Sequence, residues 1–277
     1  LNLVILGASG LLGTELTHYF SSRFTVKTFT RSDLDVTKPS ELSKLSALPN
    51  LEWVINCTGY TQVDACETNP DIAFSLNANA PFHLAQFCSK NRLKLIHFST
   101  DYVFDGEKPS PYLETDTCNP ISVYGLSKYQ GEQHVLTQCK EAYVFRIQWL
   151  YGHNKGFVPF VFSQAKTPEK TVKALSDQWG THTSTQTIAQ WVEAFLKNKP
   201  PFGLYHIRSS GYATWFELAN FINQNWALGL VVTPSTMHEL SRPAKRPANS
   251  RLDISKAVSL NIYTPKSWQD DLKEFMQ

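Results

Sequence analysis

The chain has 277 residues, 42% hydrophobic and 18% charged, enough to bury one large core or two modest ones. A formal net charge of +2 without any long run of like charge excludes the electrostatic footprint of a general nucleic-acid binder and leaves a small anionic ligand open. Five scattered cysteines without a C-x-x-C pair, and eight histidines without ligand spacing, predict a reduced, cytoplasmic protein with no disulfide framework and no metal site.

The chain opens on the apolar run LNLVILG without a basic leader, and no stretch approaches the ~18 apolar residues a membrane span needs, so no targeting or membrane segment is expected. Residues 3–6, LVIL, predict a strand. GASGLLG follows, with Gly7, Gly10 and Gly13 in a G-x-x-G-x-x-G spacing at the opening of an amphipathic helix. Glycine permits the tight turn and close approach to a pyrophosphate, and the helix N-terminus offers unpaired N–H groups, so a dinucleotide site is predicted. A second strand over 24–30 leads into Thr30-Arg31-Ser32, where an acid would hold the ribose of NAD. Arg31 and Ser32 suit a 2′-phosphate instead, which favours NADPH, while Asp33 and Asp35 keep NADH open.

Residues 51–57, 93–99 and 142–147 predict further strands, with His97 read as a strand residue. Helix-period segments separate them, as at 79–90, where Leu84, Phe87 and Cys88 form a stripe behind Pro81. This alternation indicates an α/β fold: a Rossmann-type doubly wound parallel sheet. After about residue 150 the pattern weakens and the Pro-rich stretches KNKPPFG and SRPAKRPANSR appear. The expected domains are an NAD(P)-binding domain over 1–150, with segments from roughly 170–200 returning to it, and a smaller mixed α/β substrate-binding lobe over 151–277.

The fourth strand runs into STDYVFDG, which places Ser99, Thr100 and Asp101 at a strand carboxyl end, where open α/β sheets bind ligands. Tyr124 and Lys128 follow at i and i+4, on one face of a helix. A phenol titrates near pH ~10 and needs a neighbouring positive charge to act as an acid–base group near neutrality. Lys128 would supply that charge, and Thr100 would hydrogen-bond the oxygen that Tyr124 protonates.

Together GASGLLG, STDYVFDG and YGLSK resemble the extended short-chain dehydrogenase/reductases. NCTGYTQVDACE, RIQWLYG, SDQWGTHTS, GLYHIRSSGYATWFELA and RPANSRLD extend the resemblance, over nearly the whole chain, to the dTDP-4-dehydrorhamnose reductases. That resemblance implies NADPH-dependent reduction of the C4 ketone of a nucleotide-linked 6-deoxy-4-keto sugar, most specifically dTDP-4-dehydro-L-rhamnose to dTDP-L-rhamnose, for a cell-surface polysaccharide precursor. It implies that Thr100, Tyr124 and Lys128 are catalytic, with Tyr124 as proton donor and Lys128 also orienting the nicotinamide ribose. It implies that Asp101, Trp149, Arg246 and Asn249 contact substrate. Gly10, Leu11, Leu12, Asp35, Val36, Gly59, Tyr60, Thr61 and Phe98 then fall where the family holds its dinucleotide.

Some positions depart from the family pattern. Ile147-Gln148 replaces its Thr-Ser before Trp149, and His182 replaces a proline, which leaves a different sugar open. Glu15 matches one glutamate of the family's magnesium bridge but Gln186 stands at the other, so no metal-bridged dimer is expected; the chain is a monomer or a homodimer. Arg242, Lys245, Arg246 and Arg251 lie in an acid-free stretch suited to a diphosphate. The competing readings are a nucleotide-binding regulatory subunit like the methionine adenosyltransferase β subunit, and an epimerase or dehydratase that keeps NAD⁺ bound.

Overall fold

Short apolar runs flanked by helices form strands buried on both faces, and alternate residues then belong to different cores. The computed structural model describes residues 1–153 and 156–277. Its main sheet contains β1 (Asn2–Leu6), β2 (Thr25–Phe29), β3 (Trp53–Asn56), β4 (Lys94–Thr100), β5 (Ala142–Ile147) and β6 (Gly203–His206). All six are parallel, in the order β6-β5-β4-β3-β1-β2. The order reverses between β1 and β3, so the crevice at their carboxyl ends is the topological switch point.

Leu3, Ile5, Trp53, Ile55, Tyr143 and Phe145 face one core, closed by helices α1 (Leu11–Ser21) and, far along the chain, a helix over Thr185–Asn198. Val4, Leu6, Val54, Leu95 and Val144 face the other, closed by α2 (Ala80–Lys90) and α3 (Val123–Gln138). Leu84 and Cys88 of α2 are buried there and Phe87 packs at the margin. His97 is a buried β4 residue whose Nδ1 accepts from Asn56 Nδ2 at 3.2 Å.

The Thr185–Asn198 helix is α4; it places Ile188, Trp191 and Phe195 against Leu16 and Phe20. Thr171–Leu175 instead pairs with Val231–Ser235 in the smaller lobe, where α5 (Trp215–Asn225) and α6 (Trp268–Phe275) complete a third core around Leu218, Ile222 and Leu272. The chain therefore enters the lobe, returns to the main sheet for α4 and β6, and leaves again. A capping box between Thr214 and Glu217 starts α5, and the Ser184 hydroxyl, accepting from the Thr187 N–H at 2.9 Å, starts α4. Asp271 of α6 clasps that cap: it accepts from Ser184 N (2.9 Å), Ser184 Oγ (2.5 Å), Thr187 Oγ1 (2.7 Å), Ser209 Oγ (2.6 Å) and Tyr151 OH (3.2 Å). Among the described residues no helix is long and apolar enough to cross a membrane, and no group of three His, Cys, Asp or Glu side chains is placed to hold a metal.

Helix α3 approaches its neighbours more closely than a side chain allows. A Cβ on Gly131 would stand 1.9 Å from the Asn77 carbonyl oxygen, in the π-helical turn Ser75–Asn79 that precedes α2. In an ordinary helix interior Gly→Ala stabilises by about 1 kcal/mol. Here overpacking of roughly 1–3 kcal/mol opposes it. Gly131→Ala is therefore expected to lower the thermal midpoint, and an unchanged or raised midpoint would disprove the close approach.

Candidate active site

After β1 the backbone of Gly7 turns at φ +76°, and the N–H groups of Gly7 and Ala8 donate to the Phe29 carbonyl at 2.9 and 3.2 Å. A Cβ on Gly13 would lie 2.2 Å from the Gly7 oxygen, so this turn packs on α1 only with glycine at that position. Gly10 caps α1 without a side-chain hydrogen bond, leaving the first-turn N–H groups free to meet an anion. The cradle fits a pyrophosphate.

Beyond β2, Ser9, Thr30, Arg31, Asp35 and Lys38 line a cavity of 610 Å³. The aspartates of this loop are engaged locally: Asp33 accepts from Thr30 N and Oγ1 at 2.9 and 2.6 Å, and Asp35 from Thr37 N and Oγ1 at 3.1 and 2.7 Å. These bonds, led by those from the threonine hydroxyls, hold both carboxyls below their usual range. Lys38 and Lys44 pair with Glu41, whereas Arg31 is exposed and makes no ion pair among the described residues. Val36, by contrast, is buried in the second core, and its side chain supports the loop from beneath.

At the end of β3, Gly59, Tyr60 and Thr61 form a loop fixed by Asn77, a residue the sequence reading missed. Asn77 Oδ1 accepts from Tyr60 N at 2.8 Å, and its Nδ2 donates to Tyr60 O and Ser127 Oγ, each at 3.0 Å. The available signal was an asparagine inside an otherwise helical run, FSLNANAP, where a buried amide needs partners.

Between this loop and α3 lies a cavity of 410 Å³. Gly10, Leu11, Leu12, Gly59, Thr61 and Phe98 line it together with Thr100, Asp101, Tyr124, Lys128 and Trp149. Ser122 starts α3 by accepting from the Gly125 N–H at 3.1 Å. Gly125 then lets the helix touch the chain after β4, since a Cβ there would stand 2.2 Å from the Tyr102 oxygen. That contact brings Tyr124 to Thr100.

Burial drives the Tyr124 phenol upward, and the Thr100 hydroxyl draws it partly back. Lys128 is pushed down to about 8 by burial, opposed by Glu132, and its Nζ donates to the Phe98 carbonyl at 2.5 Å. The i, i+4 spacing predicts that Lys128 acidifies Tyr124; in the folded chain desolvation dominates and the ammonium is aimed at β4. Thr100 Oγ1 donates to Asp101 Oδ1 at 2.9 Å and accepts from the Tyr102 N–H at 3.2 Å.

Asp101 is 2% exposed, and its Oδ2 has no hydrogen-bond partner among the described residues. Burial raises its pKa to about 6, opposed by the Thr100 hydroxyl that donates to it. The folded state thus binds this proton more tightly than the unfolded chain, so stability falls as pH rises from about 4 through about 6 and stays lower above, by a cost on the order of 3 kcal/mol. Asp101→Asn keeps an acceptor for Thr100 and removes that charge. Its thermal midpoint is expected to exceed the wild type's above about pH 7 and to converge with it near pH 4, with activity reduced; a gap independent of pH would refute the account.

Trp149 adopts φ +44° and stacks on Trp215, with ring centroids 4.4 Å apart and planes inclined by 22°. A Cβ on Gly180 would come within 2.7 Å of the Trp149 ring, which accounts for that glycine. His182 lies under both tryptophans, is pushed down to about 3 by burial, and bonds the Thr214 carbonyl through Nε2 at 3.2 Å. It supports the platform. Gln148 lines the cavity, but its Nε2 donates to Ser250 O at 3.0 Å and its Oε1 accepts from Leu252 N at 3.4 Å. Arg246 and Asn249 do not reach this cavity. Arg246 forks onto Asp64 at 3.0 and 2.8 Å beside a separate 300 Å³ cavity that also has Arg242 and Lys245 in its wall. Asn249 binds the Lys108 and Ser110 carbonyls at 2.5 and 3.0 Å and accepts from Arg251.

The family described as RmlD substrate binding domain matches residues 1–277. The dTDP-4-dehydrorhamnose reductase of Streptomyces griseus is 34% identical, over 98% of this chain and 91% of that protein. A Streptomyces antibioticus protein named "Probable dTDP-4,6-dihydroxy-2-methyloxan-3-one 4-ketoreductase" is also 34% identical, over 98% and 93%. The solved dTDP-4-dehydrorhamnose reductase of Bacillus anthracis, in complex with NADP, superposes with a TM-score of 0.95 at 28% identity, over 99% of this chain and 98% of that one. With the switch-point crevice, the glycine cradle and the Thr100, Tyr124 and Lys128 cluster in one fold, the chain belongs to the dTDP-4-dehydrorhamnose reductase family of oxidoreductases.

Proposed function

We propose that this chain reduces the C4 ketone of a nucleotide-linked 6-deoxy-4-keto sugar with NADPH, dTDP-4-dehydro-L-rhamnose being the favoured substrate, within the cytoplasmic synthesis of a polysaccharide precursor. The observation that carries this reading is one cavity lined both by Gly10, Leu11, Leu12, Gly59 and Thr61 of the glycine and β3 loops and by Thr100, Asp101, Tyr124 and Lys128.

A bound reduced nicotinamide supplies the hydride. Tyr124 gives its phenolic proton to the oxygen of the reduced carbon; a phenol kept protonated by burial donates readily to an alkoxide, which is far more basic. Thr100 orients that oxygen by turning towards it the single hydroxyl proton that Asp101 accepts in the free chain. Lys128 steadies the negative charge left on Tyr124 and holds the dinucleotide ribose. Trp149 offers an apolar face to the sugar ring. Arg31, with Asp33 and Asp35 engaged by their own threonines, supports NADPH over NADH. The site is complete within one chain, so turnover by a monomer or a homodimer is equally served.

Incubation with dTDP-4-dehydro-L-rhamnose and NADPH should give dTDP-L-rhamnose, with a higher kcat/KM for NADPH than for NADH. No oxidation of NADPH across a panel of dTDP-4-keto-6-deoxy sugars would reject the reaction, and a preference for NADH would reject the cofactor. A different sugar is the second reading, favoured by Ile147 and the tethered Gln148 on the cavity wall; the same panel decides it.

A further inference from the structure

One turn beyond Lys128 on α3 stands Glu132, whose exposure is 0%. Arg146 of β5 clamps it, Nε to Oε2 at 2.9 Å and Nη2 to Oε1 at 2.5 Å. The guanidinium is fixed in turn: it lies 4.9 Å over the Phe104 ring, donates to Cys118 Sγ at 3.1 Å, and its Nη1 is 3.3 Å from His206 Nε2. His206 Nδ1 donates to the Asp253 carbonyl at 3.0 Å, so Nε2 is the acceptor and the ring is neutral. The pair is therefore ordered, with the carboxylate carried by the helix of Lys128 and the cation by the strand beside it.

Buried ion pairs contribute little net stability, because the desolvation cost offsets their attraction, and apolar replacements of similar volume often serve as well. This pair has a neighbour for which its order matters. Lys128 is desolvated, and its Nζ meets the Phe98 carbonyl, which bears no formal charge. Cys57, just past β3, and His97 of β4, both held neutral by burial, act on it, as does Glu132 of its own helix, while Tyr124, whose phenol burial keeps protonated, lines the same cavity. Glu132 is the one carboxylate in that set.

Building on the reading of Lys128 above, we propose that Glu132, aimed by Arg146, is a positioning residue that keeps Lys128 protonated at neutral pH. Burial and Glu132 act on the lysine in opposite senses, which agrees with this assignment. The active-site cation is then set by a buried pair that touches neither substrate nor dinucleotide.

The test is an NMR titration of the lysine Nζ groups in the chain without added dinucleotide, comparing wild type with Glu132→Gln and with Glu132→Gln/Arg146→Met, alongside pH profiles of kcat/KM. The double variant leaves no unpaired guanidinium and covers the case in which Glu132→Gln alone fails to fold. The Lys128 midpoint is expected to fall by about one pH unit or more in Glu132→Gln and by a smaller amount in the double variant, which also removes the guanidinium charge, and the alkaline limb of kcat/KM to fall with it. An unchanged midpoint in a folded variant overturns the proposal, as does a wild-type Lys128 already neutral at pH 7. Absence of turnover by the wild type at every pH would instead overturn the reductase reading, and the titration would still judge Glu132.

Discussion

Tyr124→Phe is expected to lower kcat by about 10²- to 10⁴-fold while leaving the affinity for the reduced dinucleotide close to that of the wild type. The substitution removes one hydroxyl and little else. The ring keeps its edge contact with Tyr102, at 5.4 Å between centroids. Thr100 keeps its bond to Asp101, so no buried donor loses its partner. A structural role for the hydroxyl would show as a lowered thermal midpoint with proportionate loss of activity. Loss of turnover at an unchanged midpoint, followed by reduced-nicotinamide absorbance, is the outcome expected of a proton donor. An unaffected rate would remove Tyr124 from the reaction.

Asp271→Ala is expected to have the largest effect on folding. Two serine hydroxyls, a threonine hydroxyl, a tyrosine hydroxyl and the Ser184 N–H would lose one common acceptor. Each buried donor left unsatisfied costs about 1–3 kcal/mol, and water admitted to the new space recovers part of it, so a net loss of roughly 4 kcal/mol is expected. For a chain of this length that lowers the thermal midpoint by about 7 °C. Asp271→Asn, which retains one acceptor oxygen, should fall between the two. Denaturant midpoints at constant slope would measure the series, and a loss below about 1 kcal/mol for the alanine variant would show that the donors find other partners.

Four of the five early strands, β1, β3, β4 and β5, were legible because each is a short buried apolar run, β2 being a half-exposed edge strand, and the glycine loop and the Tyr124 and Lys128 spacing were legible because each is local. What escaped depends on residues far apart in the chain. Asn77 and Ser127 are joined across 50 positions, Asp64 and Arg246 across 182, and Asp271 gathers Ser184, Thr187 and Ser209 from another lobe. No periodicity encodes such pairs. Helix α3 is a further case: it buries Tyr124, Lys128 and Glu132 and presents Gly125 and Gly131 to its neighbours, so an apolar stripe is missing where the helix is most enclosed. The direction of Lys128 was equally out of reach, since i and i+4 spacing shares a face between two side chains but does not say what each of them bonds.

The place of β6 bears on how this protein can be divided. A chain ended near residue 150 contains the whole glycine loop and the catalytic cluster, yet it leaves β5 without the neighbour it pairs with over Tyr143–Arg146. That exposed ladder edge carries Tyr143, Val144 and Phe145, the kind of flat apolar strand that recruits other chains. The same fragment lacks α4, which covers Leu16 and Phe20. A dinucleotide-binding module excised at the apparent boundary would therefore aggregate, and during synthesis the nucleotide crevice reaches its final form only after much of the lobe has been made.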